Sequence, residues 1–430
     1  MKTDQIQKVH KDWYKLDLSA IVYPTLQRRD FSSVYRLSVL LKEDIDPEIL
    51  QRAVNLTMPR FPTYKAAIRK GVFWRYLEPN DRPGPFVQED VKNPCQPMHF
   101  KGNNRYLVRI YYYRNRIALE AHHSLGDGTG GMCVLQTLTA TYLRLKGHSE
   151  IENGGFVLDI LGIPDPGELE DAYMKYANAK VCPPRPGEKT YRVRGTKEPF
   201  YTLNIIDGIM SVSEVMRVAK SYNATINEYL NSVLLYALMQ KQESEWHLKL
   251  RPVKIAMPVN LRRFFPSRTL RNFITMIYPG IDPRLGEYTF EEIVTQVHNY
   301  MRYYLNEKLL RGDITTNAET QRNPFIRIVP LFIKDLVVRQ FYTKIQDKNS
   351  SAGLTNMGAL KVPETMKPYI ERFDIYMGQP FSTRTNCAIA SFEDILTINF
   401  ASSIAETDVE RLFFRKLVQD GIHVKIESNR

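Results

Sequence analysis

Cysteine is scarce in this chain, and its spacing excludes two common roles. No two of the cysteines stand at the short intervals that zinc sites or redox pairs use, and no disulfide framework is indicated. Cys133 falls inside an apolar helical pattern and is predicted to be a small buried side chain. The four cysteines of the 430-residue chain are Cys95, Cys133, Cys182 and Cys387.

Long apolar runs are also absent. No segment approaches the roughly 18 uninterrupted apolar residues that a membrane-spanning helix needs. Residues 1–8 are polar and charged where a secretory signal would be apolar. The sequence therefore predicts no transmembrane segment and a cytoplasmic protein.

The chain has no internal repeat, no low-complexity segment and no block of like charges. Its formal net charge is +12, from 59 Lys and Arg against 47 Asp and Glu. Because these residues are dispersed, nucleic-acid binding is disfavoured. The charge is compatible with a solvated basic surface, with attraction to an anionic ligand, or with weak association with anionic lipid.

The length of the chain exceeds what one hydrophobic core usually holds, which predicts two subdomains. With 43% hydrophobic and 25% charged residues, the composition is that of a globular protein. A proline-rich stretch within residues 160–200 is predicted to connect the two halves. Its prolines are Pro164, Pro166, Pro183, Pro184 and Pro186.

Several elements are predicted from their ends and their periodicity. Asp46 before Pro47 predicts a capped helix through about Met58, and alternation predicts a strand at Arg116–His122. Four capping-box patterns predict helix starts in the second half, at Ser211/Glu214, Thr225/Glu228, Thr289/Glu292 and Thr407/Glu410. Aromatic, hairpin-like segments are predicted around Val72–Leu77 and Arg105–Tyr113. Further predicted strands lie at Val253–Val259, Phe273–Tyr278, and near Thr355–Leu360 and Asp394–Ala401.

The most informative stretch is residues 121–128, which read Ala-His-His-Ser-Leu-Gly-Asp-Gly. Neighbours on a strand point to opposite faces, so only one of His122 and His123 can face a channel. Imidazole is the side chain whose ordinary pKa lets it accept and return a proton near pH 7. The spacing of four residues to Asp127 favours His123 as this base, and His122 as a structural residue.

Other sites are compatible with parts of this stretch but not with its surroundings. Gly126-x-Gly128-x-x-Gly131 matches the dinucleotide-binding pattern, yet the following helix leads into polar residues 146–150 and not into a second strand. Gly-Asp-Gly-Thr resembles the phosphate loop of lipid and NAD kinases, without their preceding nucleotide-binding unit. No further His or Cys clusters nearby, so no metal site is predicted. A buried structural role is the alternative for His123.

The His-His-x-x-x-Asp-Gly motif resembles the signature of the CoA-dependent acyltransferase superfamily. This superfamily includes chloramphenicol acetyltransferases, peptide-synthetase condensation domains and alcohol O-acetyltransferases. The resemblance implies a two-lobed α/β fold with mixed sheets, helices over them and a channel between the lobes. The lobes would comprise residues 1–175 and 201–430, joined by a crossover at 176–200.

Further segments extend the resemblance along the chain. Ala256–Arg263, followed by Arg271–Ile274, resembles a strand, loop and strand in which an Arg of the loop pairs with the motif Asp. This implies Arg262 as the partner of Asp127, with Arg263 as the alternative; a solvated basic loop is the other interpretation. Leu354–Gly358 resembles a strand that lies across the active-site channel. The N-terminal half is similar to bacterial alcohol O-acetyltransferase-like proteins at Trp13–Asp17, Tyr23-Pro24, Arg60–Tyr64 and Phe73-Trp74. The superfamily also includes plant hydroxycinnamoyl and benzoyl transferases, and their Asp-Phe-Gly-Trp-Gly string is absent from the sequence.

The implied activity is acyl transfer from acyl-CoA to a small alcohol, with His123 as general base and no resident cofactor or metal. Asp127 is either a second catalytic carboxylate or a structural anchor, and the resemblance implies the anchor. The backbone N–H of Gly128 and the side chain of Thr355 or Asn356 are the candidate donors to an oxyanion. Two alternatives stay open: a condensation-type enzyme that uses an acyl carrier protein, and a non-catalytic relative that binds an acyl ligand or a partner.

Overall fold

The structure is a computed structural model that describes residues 13–27, 31–180, 188–245, 249–344, 349–378 and 383–430. Cys182 and three of the five crossover prolines lie outside these ranges. The strands are β1 Tyr14–Lys15, β2 Val34–Leu41, β3 Ala66–Lys70, β4 Arg75–Pro79, β5 Val87–Glu89, β6 Val108–Tyr113, β7 Arg116–His122, β8 Asn204–Ser211, β9 Val253–Asn260, β10 Ile274–Ile277, β11 Gly280–Ile281, β12 Ala352–Ala359, β13 Ile370–Met377, β14 Thr385–Phe392, β15 Ile395–Ser402 and β16 Lys425–Ser428.

Helices alternate with these strands along the chain. They are α1 Tyr23–Leu26, α2 Pro47–Thr57, α3 Gly128–Leu145, α4 Ala172–Tyr176, α5 Val212–Ser221, α6 Ile226–Ser244, α7 Phe290–Tyr304, α8 Glu307–Arg322, α9 Pro324–Ile328, α10 Leu331–Lys344 and α11 Asp408–Gln419. Among the described residues, no helix is long and apolar enough to cross a membrane. The cytoplasmic location stays a prediction.

Two large mixed sheets organise the molecule. The five-stranded sheet has the order β13-β2-β7-β6-β5, so β7 is its middle strand. The larger sheet has the order β10-β9-β12-β14-β15-β8-β16, with β11 on β9, and β12 runs parallel to both of its neighbours. A small sheet, β1-β4-β3, holds the N-terminal hairpin.

Two large hydrophobic clusters pack against the sheets, and the first of them includes residues of β14 and β15 of the larger sheet. One cluster of buried side chains includes residues of α2, α3, β2 and β7, and another includes residues of α6, α7, β9 and β15. Strand β13 crosses the simple division into halves, because it pairs with β2 although it lies late in the sequence. The amide of Ile375 in β13 also donates to Asn399 of β15, at 3.0 Å. The lobe boundaries stay a prediction.

Most predicted helix starts are found, for the expected reason. Asp46 caps α2 through the amides of Glu48 and Ile49, and Thr225 and Thr289 form complete capping boxes. Ser211 caps α5, but Glu214 bonds His423 and does not complete the box.

Helix α11 begins directly after Thr407, as predicted, but the described structure shows no side-chain cap there. The Glu410 carboxylate is buried and accepts from Thr385, at 3.0 Å, so the predicted capping box does not form. The hairpin predicted around Val72–Leu77 is found and is formed by β3 and β4.

Candidate functional site

Strand β7 delivers the two motif histidines to the end of the five-stranded sheet. His122 is its last residue and lies opposite Val34 of β2. The amide of His123 donates to the Ser33 carbonyl, at 2.8 Å, so the backbone of His123 is still held against the neighbouring segment. Because adjacent residues of a strand point to opposite faces of the sheet, the two imidazoles lie in different surroundings.

His122 lies in a closed environment. Its side chain is fully buried, its ring meets the Phe100 ring edge to face at 5.4 Å, and Nδ1 accepts from the Ser124 amide at 3.2 Å. Burial lowers the pKa of His122 to about 3. The ring is therefore neutral near pH 7 and acts as a packing residue.

His123 has a different environment, with part of its surface accessible. Its ring stacks on Tyr23, with centroids 4.7 Å apart, and meets Tyr35 at 4.6 Å. Nδ1 is buried and has no hydrogen-bond partner among the described residues. Burial lowers the pKa of His123 to about 4, and the negative charge of Asp127, the Asn272 side chain and the Gly126 backbone oppose this only in part. The ring is thus a neutral imidazole fixed between two aromatic rings, with Nε2 left as the nitrogen that can meet a ligand.

Asp127 is turned into the protein and anchors two chain segments. One oxygen, Oδ1, accepts from the Gly130 amide at 3.1 Å and caps α3. The other, Oδ2, accepts from Arg262 Nη1 at 2.7 Å and from the Phe273 amide at 2.9 Å. A second bond from Arg262 Nη2 to Oδ1, at 3.3 Å, makes the ion pair bidentate.

The guanidinium of Arg262 is itself fixed by several further hydrogen bonds. Its Nε donates to the Thr269 carbonyl at 2.9 Å, and Nη2 donates to the Arg271 carbonyl at 2.5 Å. The Asn260 side chain accepts from Nη1 at 3.2 Å. The pair therefore joins the motif to the loop after β9, while the neighbouring Arg263 is exposed.

Asn272 is a site residue that sequence reasoning missed. Its Nδ2 donates to the His123 carbonyl at 2.9 Å and to Asp17 Oδ2 at 3.1 Å. Asp17 is fully buried, and Arg271 lies 3.6 Å from it. The only signal in the sequence is that Asn272 lies within the resembling segment Arg271–Ile274, which does not by itself predict a contact with the histidine.

The glycines of the motif allow close packing, which gives them a role other than phosphate binding. A Cβ on Gly126 would lie 2.4 Å from the Leu270 carbonyl oxygen, and a Cβ on Gly130 would lie 1.9 Å from it. The Tyr64 hydroxyl would also lie within 2.8 Å of either added atom. The helix and the Leu270 loop can meet only because these side chains are missing.

The Gly130→Ala variant should accordingly lose about 1–3 kcal/mol of the free energy of unfolding, because a backbone carbonyl cannot move aside cheaply. Gly102→Ala is the matched control, since its nearest contact would be an ordinary 3.4 Å from the His99 carbonyl. Denaturation with urea measures both variants. Equal stability of the two would contradict this packing role.

The three oxyanion candidates occupy different positions. Gly128 is the first residue of α3, where helix geometry leaves the N–H without an intrahelical acceptor. Thr355 lies on the same face of β12 as Met357, whose Sδ is 3.1 Å from the place of a Gly128 Cβ. The Asn356 side chain instead donates to Asn227 at 3.1 Å and accepts from the Gly358 amide at 2.7 Å. No hydrogen bond joins Thr355 or Asn356 to His123 in the described part of the chain.

Metal-ligating side chains do not gather in the described ranges, where no group of three or more His, Cys, Asp or Glu residues is placed to hold an ion. Within the same ranges the three cysteines, Cys95, Cys133 and Cys387, are buried free thiols.

No protein-family model matches the chain, and no curated protein matches its sequence. Similarity to solved structures is extensive. TRI101 of Fusarium sporotrichioides, complexed with coenzyme A and T-2, superposes with a TM-score of 0.63 at 12% identity, over 96% of this chain and 100% of that one.

Two other solved structures are similar over nearly their whole length. TRI3 trichothecene 15-O-acetyltransferase from the same organism has a TM-score of 0.54 at 14% identity, over 95% of this chain and 94% of that one. The starter condensation domain of rhizomide synthetase RzmA, in complex with C8-CoA and Leu-SNAC, has a TM-score of 0.58 at 11% identity, over 96% and 94%.

At these identities the similarity establishes the fold. The predicted two-lobed chloramphenicol acetyltransferase-like fold is confirmed, and the chain shares it with acetyltransferases and condensation domains. The relation to alcohol O-acetyltransferases in particular stays a prediction.

Proposed function

We propose that the protein transfers an acyl group from a coenzyme A thioester to the hydroxyl of a small acceptor. The observation that carries this proposal is the setting of His123, a neutral and partly accessible imidazole aimed by the strand end, Tyr23 and Tyr35. The structural neighbours support it, since they include an acetyltransferase and structures with coenzyme A or C8-CoA bound.

The proposed reaction proceeds by direct attack without an acyl-enzyme. His123 Nε2 takes the proton of the acceptor hydroxyl while its oxygen bonds to the thioester carbonyl carbon. The electrons of the C=O double bond move to its oxygen, and they return as the C–S bond breaks. The CoA thiolate then takes the proton from the imidazolium, so the products are an ester and free CoA.

The negative oxygen of this intermediate needs preorganised donors. The N–H of Gly128 at the start of α3 is the leading backbone donor, and the positive end of the helix favours an anion there. Thr355 is the better side-chain candidate, because the Asn356 amide is already occupied by Asn227.

Asp127 is proposed to position the base and not to touch substrate. Both of its oxygens are engaged by Arg262 and by backbone amides, and the carboxylate is buried. This arrangement fixes the turn between β7 and α3, on which the direction of His123 depends.

An assay of thiol release tests the proposal. The wild-type protein is incubated with acyl-CoAs of different chain length and a panel of alcohols, and mass spectrometry identifies the ester. We expect CoA release that requires both the acceptor and His123. Absence of release across the panel, from a protein that binds acyl-CoA, would favour a non-catalytic binding role.

The acyl donor could also be carried by a protein. The condensation domain among the structural neighbours favours this second candidate, and a net charge of +12 suits an acidic carrier as well as CoA. Transfer from an acyl carrier protein but not from acyl-CoA would establish a condensation-type enzyme.

The decrease of kcat/KM on the acid side of the pH profile should occur at an unusually low pH. Only neutral His123 can accept a proton, and burial lowers its pKa to about 4 from an ordinary value near 6.5. We therefore expect kcat/KM to change little between about pH 7 and about pH 5 and to fall as the pH approaches 4. Circular dichroism at each pH checks the fold. A limb near 6.5 in a folded protein would contradict this environment for His123.

A further inference from the structure

Helix α10, Leu331–Lys344, exposes apolar side chains to solvent, where a surface helix usually exposes polar ones. A surface helix normally buries its apolar stripe and exposes its charges. Here Phe332, Ile333, Leu336 and Val337 share one face and are exposed, with Phe332 at 74% and Leu336 at 61%.

Two polar side chains of the same helix bond to the body of the protein. Asp335 accepts from Arg75 at 2.8 and 2.5 Å and from the Thr25 hydroxyl at 2.8 Å. Arg339 Nε donates to the Thr25 carbonyl at 2.8 Å. Because these bonds set the rotation of the helix, the outward direction of its apolar face is built into the fold. Thr25 is two residues from Tyr23, so the helix is attached to the segment that stacks on His123.

The exposed apolar side chains continue beyond this helix. In the short helix α9, Phe325 is 78% exposed and Ile328 is exposed as well. The tip of the β3–β4 hairpin adds Val72, Phe73 and Trp74, all exposed. The tip is bonded to α10, through the Leu331 amide to the Val72 carbonyl and through Lys334 Nζ to the Phe73 carbonyl. We call this set the outward face: Val72, Phe73, Trp74, Phe325, Ile328, Phe332, Ile333, Leu336 and Val337.

The charge around the outward face is strongly basic. From Arg322 to Lys344 the sequence has five basic residues and one acidic residue, Asp335, which is neutralised inside by Arg75. Arg322 and Arg327 are exposed. An apolar face with aromatic residues and a basic margin is the combination with which helices lie in the surface of anionic membranes. A second copy of the same chain would bring like charges together, which disfavours self-association.

We propose that the outward face docks the protein on the surface of an anionic lipid bilayer, without crossing it. The apolar side chains would enter the boundary between headgroups and acyl chains, and Arg322 and Arg327 would meet lipid phosphates. This proposal is independent of the reaction proposed above.

Sedimentation with lipid vesicles tests the proposal on the full chain. We expect binding to vesicles of phosphatidylcholine with phosphatidylglycerol, and much weaker binding to phosphatidylcholine alone. The Phe332→Ser, Leu336→Ser double variant should bind at least about tenfold more weakly, because two apolar contacts are lost. It should keep its melting temperature, since both side chains are exposed.

Two further variants separate the apolar contribution to docking from the electrostatic one. Leu285→Ser alters an 80% exposed apolar residue outside the outward face and should bind like the wild type. Arg327→Gln should weaken binding to anionic vesicles about fivefold, and added salt should reduce the difference.

Two results would overturn the proposal. One is equal vesicle binding by the wild type and the double variant. The other is a concentration-dependent dimer in sedimentation velocity that the double variant abolishes, which would assign the outward face to a second copy of the chain.

Discussion

The His123→Ala variant is expected to lose a factor of about 10² to 10⁴ in kcat while it keeps its fold, because general-base catalysis typically contributes that much. Within the described ranges His123 Nδ1 has no hydrogen bond to lose, and the backbone contacts of His123 to Ser33 and Asn272 do not depend on its side chain. The loss should therefore appear in turnover far more than in the melting temperature.

His148→Ala is the matched control for removal of an imidazole that packs against a tyrosine ring. The His148 ring packs on Tyr369 with centroids 4.1 Å apart, away from the motif. Its variant should keep wild-type turnover in the same thiol-release assay. Near-normal turnover of a folded His123→Ala protein would exclude His123 as the base.

Asp127→Ala is expected to lower the free energy of unfolding by about 3–5 kcal/mol and to lower activity with it. The change leaves the buried guanidinium of Arg262 without its anion, and breaking such a pair from one side is strongly destabilising. It also frees the amides of Gly130 and Phe273. Chemical denaturation and thiol release on the same preparations measure the two effects.

Asp165→Ala is the control for this variant, because Asp165 combines a helix cap and an arginine ion pair at a more exposed position. Asp165 also caps a short 3₁₀ helix, Pro166–Leu169, and pairs with Arg268 at 3.2 Å, but the side chains are 44% and 81% exposed. Its loss should remain within about 0.5–2 kcal/mol, the usual range for a cap.

A double-mutant cycle with Arg262→Met isolates the ion pair. The double variant should be less destabilised than the sum of the single variants, because no unpaired charge is left. If Asp127→Ala kept full stability and only shifted the pH–rate profile, Asp127 would be a second catalytic group and not an anchor.

The local parts of the site follow from sequence because they depend on neighbouring residues. Alternation along β7 and the spacing to Asp127 are enough to distinguish the accessible His123 from the buried His122. The Asp127–Arg262 pair is predicted only from the resemblance of the loop after β9, because 135 positions separate the two residues in the sequence.

The remaining contacts depend on packing between distant segments. The rings of Tyr23 and Tyr35 meet His123 only after three segments have come together, and no spacing in the sequence indicates it. Glu410 illustrates the same limit, because its capping-box pattern is overridden by a buried bond to Thr385. Helix α10 is not recognised in advance because apolar residues lie on its outer face.

A crystal structure with coenzyme A bound tests the central claim most directly. We expect the thiol sulfur to lie within hydrogen-bond reach of His123 Nε2, directly or through one water molecule, near the N–H of Gly128. Coenzyme A bound with its sulfur far from His123, or with the imidazole inaccessible to it, would contradict the proposed role of this residue.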